Sequence, residues 1–163
     1  MFRVGILVAS DKGSRHERID ESGKVAQEFV LKAGMQVEKW IVLPDDMEQL
    51  SASMIQMSDE LGLDLILTVG GTGFSARDIT PEATLKVIDR PAPGICEAIR
   101  YHSLSITPRA MLSRAISGIR KKTLIINLPG SPKAVREGLE YIMESLVHGL
   151  EIMTGKASEC ARK

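Results

Sequence analysis

Leu65-Ile66-Leu67-Thr68-Val69-Gly70-Gly71-Thr72-Gly73 runs from an unbroken apolar stretch straight into a glycine cluster. A continuous apolar run of this kind suits a strand covered on both faces, as in a parallel sheet. Glycine directly after a strand permits positive φ and lets backbone N–H groups approach a ligand with no Cβ between, the geometry of an anion nest. A tight strand-to-helix turn without a ligand accounts for the same glycines equally well. The segment predicts the strand, and its neighbours must decide what the glycines do.

Working outward, Val4-Gly5-Ile6-Leu7-Val8-Ala9, Trp40-Ile41-Val42-Leu43 and Thr123-Leu124-Ile125-Ile126-Asn127-Leu128 read as three more strands. Between them lie segments of helical period. Val25, Ala26, Phe29, Val30 and Ala33 share one face, with a cap at Asp20 or Ser22 and Gly34 as a left-handed stop. Leu50, Met54, Ile55, Met57 and Leu61 follow a start at Asp45 or Asp46 and end at Gly62. In Thr80-Pro81-Glu82 the threonine is expected as N-cap and the proline as first helical residue, a signal repeated at Thr107-Pro108. The last helix carries Val135, Leu139, Ile142, Met143, Leu146, Val147 and Leu150, and fraying is expected after Gly155. Strands alternating with helices predict an α/β fold with a largely parallel sheet.

The chain has 163 residues, read as one domain over 1–163, with 21 Lys+Arg against 21 Asp+Glu. A balanced charge, whose longest basic run is Arg120-Lys121-Lys122, argues against nucleic acid as a partner. No stretch is apolar for long enough to cross a membrane. The short run at Val4–Ala9 reads as a strand rather than a secretory leader, so a cytoplasmic location is expected. Cys96 and Cys160 have no metal-type spacing, and reduced thiols are expected.

In open α/β sheets, ligands bind beyond the carboxyl ends of the strands. Four polar or glycine-rich turns follow those ends: Ser10-Asp11, Pro44-Asp45-Asp46, Gly70 to Asp78, and Pro129-Gly130-Ser131-Pro132. Asp45 and Asp78 beside a phosphate nest would hold Mg²⁺, which takes oxygen ligands and shares them with substrate phosphates. Asp45 is also a natural helix cap, and Arg77 could pair with Asp78 or with a phosphate. Ser131 could cap the last helix, or Gly130 and Ser131 could present its N-terminus to a phosphate. Gly71-Thr72-Gly73-Phe74-Ser75-Ala76 fits the dinucleotide fingerprint only weakly, because Pro81 delays the helix, and no Walker A loop occurs. His16, His102 and His148 suggest no metal site.

Thr68 to Thr84, taken as one motif, strongly resembles the signature of the MoaB/Mog family of molybdenum-cofactor biosynthesis. Ser10-Asp11, Asp20-Glu21-Ser22-Gly23, Leu43-Pro44-Asp45, Ala110-Met111-Leu112-Ser113-Arg114-Ala115 and Leu128-Pro129-Gly130-Ser131-Pro132 extend the likeness across nearly the whole chain. The resemblance implies a three-layer αβα fold and transfer of AMP from Mg·ATP to the terminal phosphate of molybdopterin, releasing pyrophosphate. It implies catalytic and metal-holding roles for Asp45 and Asp78. Ser10, Asp11, Gly70, Gly71, Thr72, Gly73, Gly130 and Ser131 are implied to bind pterin and nucleotide. A homotrimer or hexamer, and contact with a downstream molybdenum-inserting protein, are further implications. The polar stretch Lys12 to Arg18 departs from the family's Ser/Thr-rich pattern. A non-catalytic molybdopterin-binding or scaffold protein is the alternative, and another nucleotide-using enzyme on the same fold a third.

Overall fold

A computed structural model describes residues 1–17 and 19–156. The expected fraying after Gly155 falls mainly on 157–163, which lie outside the described residues together with Cys160 and Arg18. The strands are β1 (Arg3–Ala9), β2 (Gln36–Leu43), β3 (Leu65–Val69), β4 (Arg90–Pro91), β5 (Ser117–Arg120) and β6 (Thr123–Leu128). The α-helices are α1 (Asp11–Ser14), α2 (Glu21–Lys32), α3 (Met47–Ile55), α4 (Thr80–Val87), α5 (Gly94–Leu104) and α6 (Pro132–Met153). A π-helical turn at Gln56–Glu60 extends α3, and a 3₁₀ turn covers Pro108–Leu112.

One six-stranded sheet runs in the order β2-β1-β3-β6-β5-β4. β2, β1, β3 and β6 are parallel; β5 turns back against β6 and β4 against β5. Successive side chains of a strand point to opposite faces, and the core divides accordingly. Val4, Ile6, Val8, Leu65, Leu67, Val69, Leu124, Ile126 and Leu128 pack with α2, α5 and α6 on one face. Leu7, Ala9, Ile66 and Ile125 pack with α3 and α4 on the other. The result is the expected three-layer αβα fold, with the carboxyl ends of all four parallel strands along one edge.

The helix starts follow local chemistry. Asp20 caps α2 by accepting from Gly23 N, Asp46 caps α3 by accepting from Gln49 N, and Ser131 caps α6 by accepting from Ala134 N. Thr80 departs from expectation. It is the first residue of α4 rather than its cap, with Ile79 at the cap position and no side-chain capping bond. Its N–H is already taken by Gly71 O at 3.0 Å, which draws the residue into the helix and fully buries it.

A buried polar chain ties α4 to the sheet. Asn127 Nδ2 donates to Thr68 Oγ1 at 2.9 Å and to Thr84 Oγ1 at 2.8 Å, and Thr84 Oγ1 donates to Thr80 O. Asn127 Oδ1 also accepts from Ile116 N. Asn127→Ala leaves several buried groups unpaired, so urea melts should show a loss of about 2–4 kcal/mol.

Candidate functional site

The four turns converge on a cavity of about 180 Å³ at the carboxyl edge, whose lining includes Ser10, Asp20, Asp45, Gly70, Gly71, Asp78 and Gly130. The strand-to-turn transition at β3 makes it possible. Gly70 and Gly71 adopt φ +91 and +65, and a Cβ on Gly71 would stand 2.3 Å from Thr80 Oγ1 and 3.0 Å from Asp45 Oδ1. A side chain there would fill the space between the loop and the carboxylate. Gly70 N is committed to Leu128 O at 3.1 Å, so donors offered to a ligand begin beyond it. Gly73 has no positive φ but lies against Asp78, its Cβ position 3.0 Å from Asp78 Oδ2.

Asp45 is released for other work because its neighbour Asp46 takes the cap. Its Oδ2 accepts from Asp11 N at 3.1 Å, while Asp11 Oδ1 accepts from Asp45 N at 3.0 Å. This reciprocal pair locks the β1 and β2 turns together and leaves Asp45 Oδ1 buried without a partner. Burial, chiefly, pushes the Asp45 carboxyl above its ordinary value, with the charges of Asp11 and Asp78 acting in the same direction. Asp78 is aimed by its own loop, since Oδ2 accepts from Ser75 N at 2.9 Å. Two acids distant in sequence thus line one cavity, and the charge of Asp78 reaches Asp45.

The raised Asp45 pKa carries a stability sign. The unfolded chain ionises this carboxyl more readily than the folded one, so the folded state loses stability as pH climbs from the ordinary carboxyl range through the raised value. Asp45→Asn should therefore raise the metal-free melting temperature at neutral pH, with the gain vanishing toward acid. Solvent screening keeps the gain below about 1 kcal/mol. Calorimetry of both proteins across pH 3–8 checks it.

Arg77 pairs with Asp11 rather than with Asp78. Its guanidinium forks onto Asp11 at 2.8 and 2.9 Å, and this bond holds the Asp11 carboxyl below its usual range. Asp11 therefore stands behind Asp45 as its support, while Ser10 lines the cavity and spends its Oγ lone pair on Gly13 N. Gly130 lines the cavity, whereas Ser131 has its Oγ engaged as the α6 cap and does not. Thr72 is buried, and neither it nor Gly73 is among the lining residues.

Two features went unread as site residues in the sequence. Arg114 backs the glycine turn: its backbone N–H donates to Thr72 O, Nε to Gly73 O at 2.8 Å, and Nη2 to Asp78 O, and it pairs with Glu82. No spacing rule singles out an arginine in a loop 41 residues from its partner. Arg114→Lys cannot reproduce that fork. It should weaken ligand binding at the cavity by about 10- to 100-fold, the range for a residue that orients a binding group through hydrogen bonds, with near-native thermal stability as the control. Asp20, read with Ser22 as a possible cap, is the cap; it also lines the cavity, and its second oxygen is buried without a partner.

An open, mostly parallel sheet with a glycine turn and two acids lining a cavity at its carboxyl edge defines the class, a three-layer α/β protein. Residues 5–148 match a family model described as a probable molybdopterin binding domain. The chain is 40% identical to the molybdopterin adenylyltransferase of Helicobacter pylori, covering 99% of this chain and 93% of that protein. It is 37% identical to the enzyme of that name from Escherichia coli, covering 91% and 80%. Among solved structures, the molybdopterin biosynthesis enzyme MoaB of Thermus thermophilus superimposes with a TM-score of 0.91 at 46% identity, covering 98% of this chain and all of that one. The tungsten-cofactor MoaB of Pyrococcus furiosus gives 0.85 at 31%, covering 94% and 97%. The chain belongs to the MoaB/Mog family of molybdenum-cofactor biosynthesis proteins.

Proposed function

We propose that the protein adenylylates molybdopterin: it transfers AMP from Mg·ATP to the terminal phosphate of the pterin and releases pyrophosphate. The observation that carries this reading is Asp45 Oδ1, a buried carboxylate oxygen with no partner, beside Gly71 in a cavity that Asp78 also lines. A buried carboxylate is kept ionised only when something compensates its charge. The residues fit Mg²⁺. No group of three or more His, Cys, Asp or Glu forms a complete cage among the described residues, and Mg²⁺ commonly takes one or two carboxylates plus phosphates and water.

In this reading Asp45 and Asp78 hold the ion, which neutralises phosphate charge when bound. The attacking group is a phosphate oxygen of molybdopterin, largely ionised at neutral pH, so no general base is required. A new bond forms from that oxygen to the α-phosphorus of ATP as the bond to the bridging oxygen of pyrophosphate breaks. The chain's own contribution is alignment and charge. Asp11, held by Arg77, fixes Asp45; Ser75 N fixes Asp78; Arg114 fixes the loop between them. The family resemblance supports a homotrimer or hexamer, a cytoplasmic location and delivery to a molybdenum-inserting protein.

The test is direct. Purified protein given molybdopterin, ATP and Mg²⁺ should release adenylylated pterin and pyrophosphate in equal amounts. Tight molybdopterin binding without turnover would instead make it a pterin-binding protein.

A further inference from the structure

The Thr80-Pro81 pair reads as a helix cap, yet α4 makes no use of it: Ile79 holds the cap position and no side chain caps the helix. Thr80 is fully buried, and its Oγ1 has no hydrogen-bond partner among the described residues. Other interior threonines show what such a hydroxyl ordinarily does. Thr84 donates to Thr80 O at 2.9 Å, and Thr123 donates to Leu63 O at 2.6 Å. A buried hydroxyl left unmet is costly, and valine offers the same branched shape without that cost. Packing alone would favour valine at position 80.

The glycine turn shows what the hydroxyl faces. A Cβ on Gly71 would stand 2.3 Å from Thr80 Oγ1 and 3.0 Å from Asp45 Oδ1. Both oxygens are buried and both lack a partner. They flank one point, which stays clear because residue 71 has no side chain. Gly71 and Asp45 line the cavity, and Thr80 stands behind the turn rather than in the lining. Its N–H donates to Gly71 O at 3.0 Å, which keeps the hydroxyl at this place. One oxygen is thus a donor without an acceptor, and the other a carboxylate acceptor without a donor. Hydrogen bonds that orient groups at a reacting centre are often long until the ligand is in place, and then tighten.

We infer that Thr80 is a positioning residue for Asp45: its hydroxyl closes onto Asp45 Oδ1 when that carboxylate takes up a divalent ion, aiming the oxygen and meeting part of its charge. The inference rests on Asp45 holding the ion. A carboxylate oxygen has two lone pairs, so one hydrogen bond still leaves it able to ligate. Thr80 touches neither the ion nor a phosphate and acts through Asp45.

Thr80→Val removes the hydroxyl and keeps the shape. Mn²⁺ is the probe, followed by water-proton relaxation with the metal alone and again with a non-hydrolysable ATP analogue. Wild type should bind the ion, and Asp45→Asn should bind it far more weakly. Thr80→Val should weaken Mn²⁺ binding about 10- to 100-fold, the range for a group that orients a metal ligand through a hydrogen bond. Its melting temperature should equal or exceed that of wild type, since an unmet hydroxyl has left the interior. Thr80→Ser restores the hydroxyl and should restore the Mn²⁺ affinity. Thr84→Val supplies the contrast: it breaks the bonds that Thr84 Oγ1 makes to Thr80 O and receives from Asn127, so it should lower Tm and leave Mn²⁺ affinity unchanged. An unchanged Mn²⁺ affinity in Thr80→Val overturns the inference whatever its Tm, as does a Thr80→Ser variant that binds as weakly as Thr80→Val. If wild type binds Mn²⁺ under neither condition, or Asp45→Asn binds it as well as wild type does, the functional reading beneath has failed and the inference falls with it.

Discussion

Asp78→Asn should lower kcat for adenylyl transfer by about 100- to 1000-fold, the scale seen when one preorganised charge-stabilising group is removed from a reacting centre. The side-chain amide preserves volume and can still accept from Ser75 N, so the loop that holds it survives. What disappears is one negative charge facing Asp45. Molybdopterin binding should remain measurable, since the amide keeps the loop in place. Raising Mg²⁺ should restore part of the rate if the ion is bound more weakly, and none if the residue acts in another way. Full activity in the variant would remove Asp78 from the mechanism.

Gly70→Ala should destabilise the protein by about 3 kcal/mol or more, a fall of roughly 6–12 °C in Tm for a chain of this size. Two causes add. At φ +91 an L-residue is strained, and its Cβ would stand 2.6 Å from the carbonyl oxygen of Ala9, a backbone atom at the end of β1. That oxygen can withdraw only if β1 and β3 part at the edge where the site is built. Gly62 supplies the control. It also has positive φ, at +60, but nothing lies within 4 Å of its Cβ position. Gly62→Ala should therefore cost only about 1–2 kcal/mol, the left-handed penalty alone. The difference between the two melts isolates the backbone clash. Equal losses would mean that strain, not contact, dictates glycine at position 70.

The parallel half of the fold was legible because its strands announce themselves. β1, β3 and β6 are covered on both faces, so Val4–Ala9, Leu65–Val69 and Thr123–Leu128 are continuous apolar runs with no competing helical reading. The antiparallel edge was not. β5 is four residues with a glycine among them, and β4 is the pair Arg90–Pro91, held by register with β5 rather than by any propensity of its own. Helix α5 was missed for a related reason. It starts behind Pro93 without a side-chain cap, and few of its residues are buried.

At the site, residue type and position along the strands sufficed to single out Asp45 and Asp78. They could not say which of Asp45 and Asp46 would cap α3, because both are good caps and only the reciprocal bond with Asp11 decides. Thr80 misled for a similar reason: a hydroxyl before proline is a sound capping signal, but the hydrogen bond from its N–H to Gly71 O overrode it. Arg114 and the second oxygen of Asp20 are tertiary facts. Each depends on where loops far apart in sequence come to rest, which no local pattern encodes.

The family match defines the chemistry to look for, and the proposed mechanism rests that chemistry on Asp45 and Asp78 sharing one cavity. A crystal of the protein with Mn²⁺ and a non-hydrolysable ATP analogue measures this most directly through the anomalous signal of the metal. The expected map has one peak in the cavity, bonded to Asp45 Oδ1, to a carboxylate oxygen of Asp78 and to the nucleotide's phosphates. A peak on the phosphates alone, with both carboxylates turned away, would contradict the account.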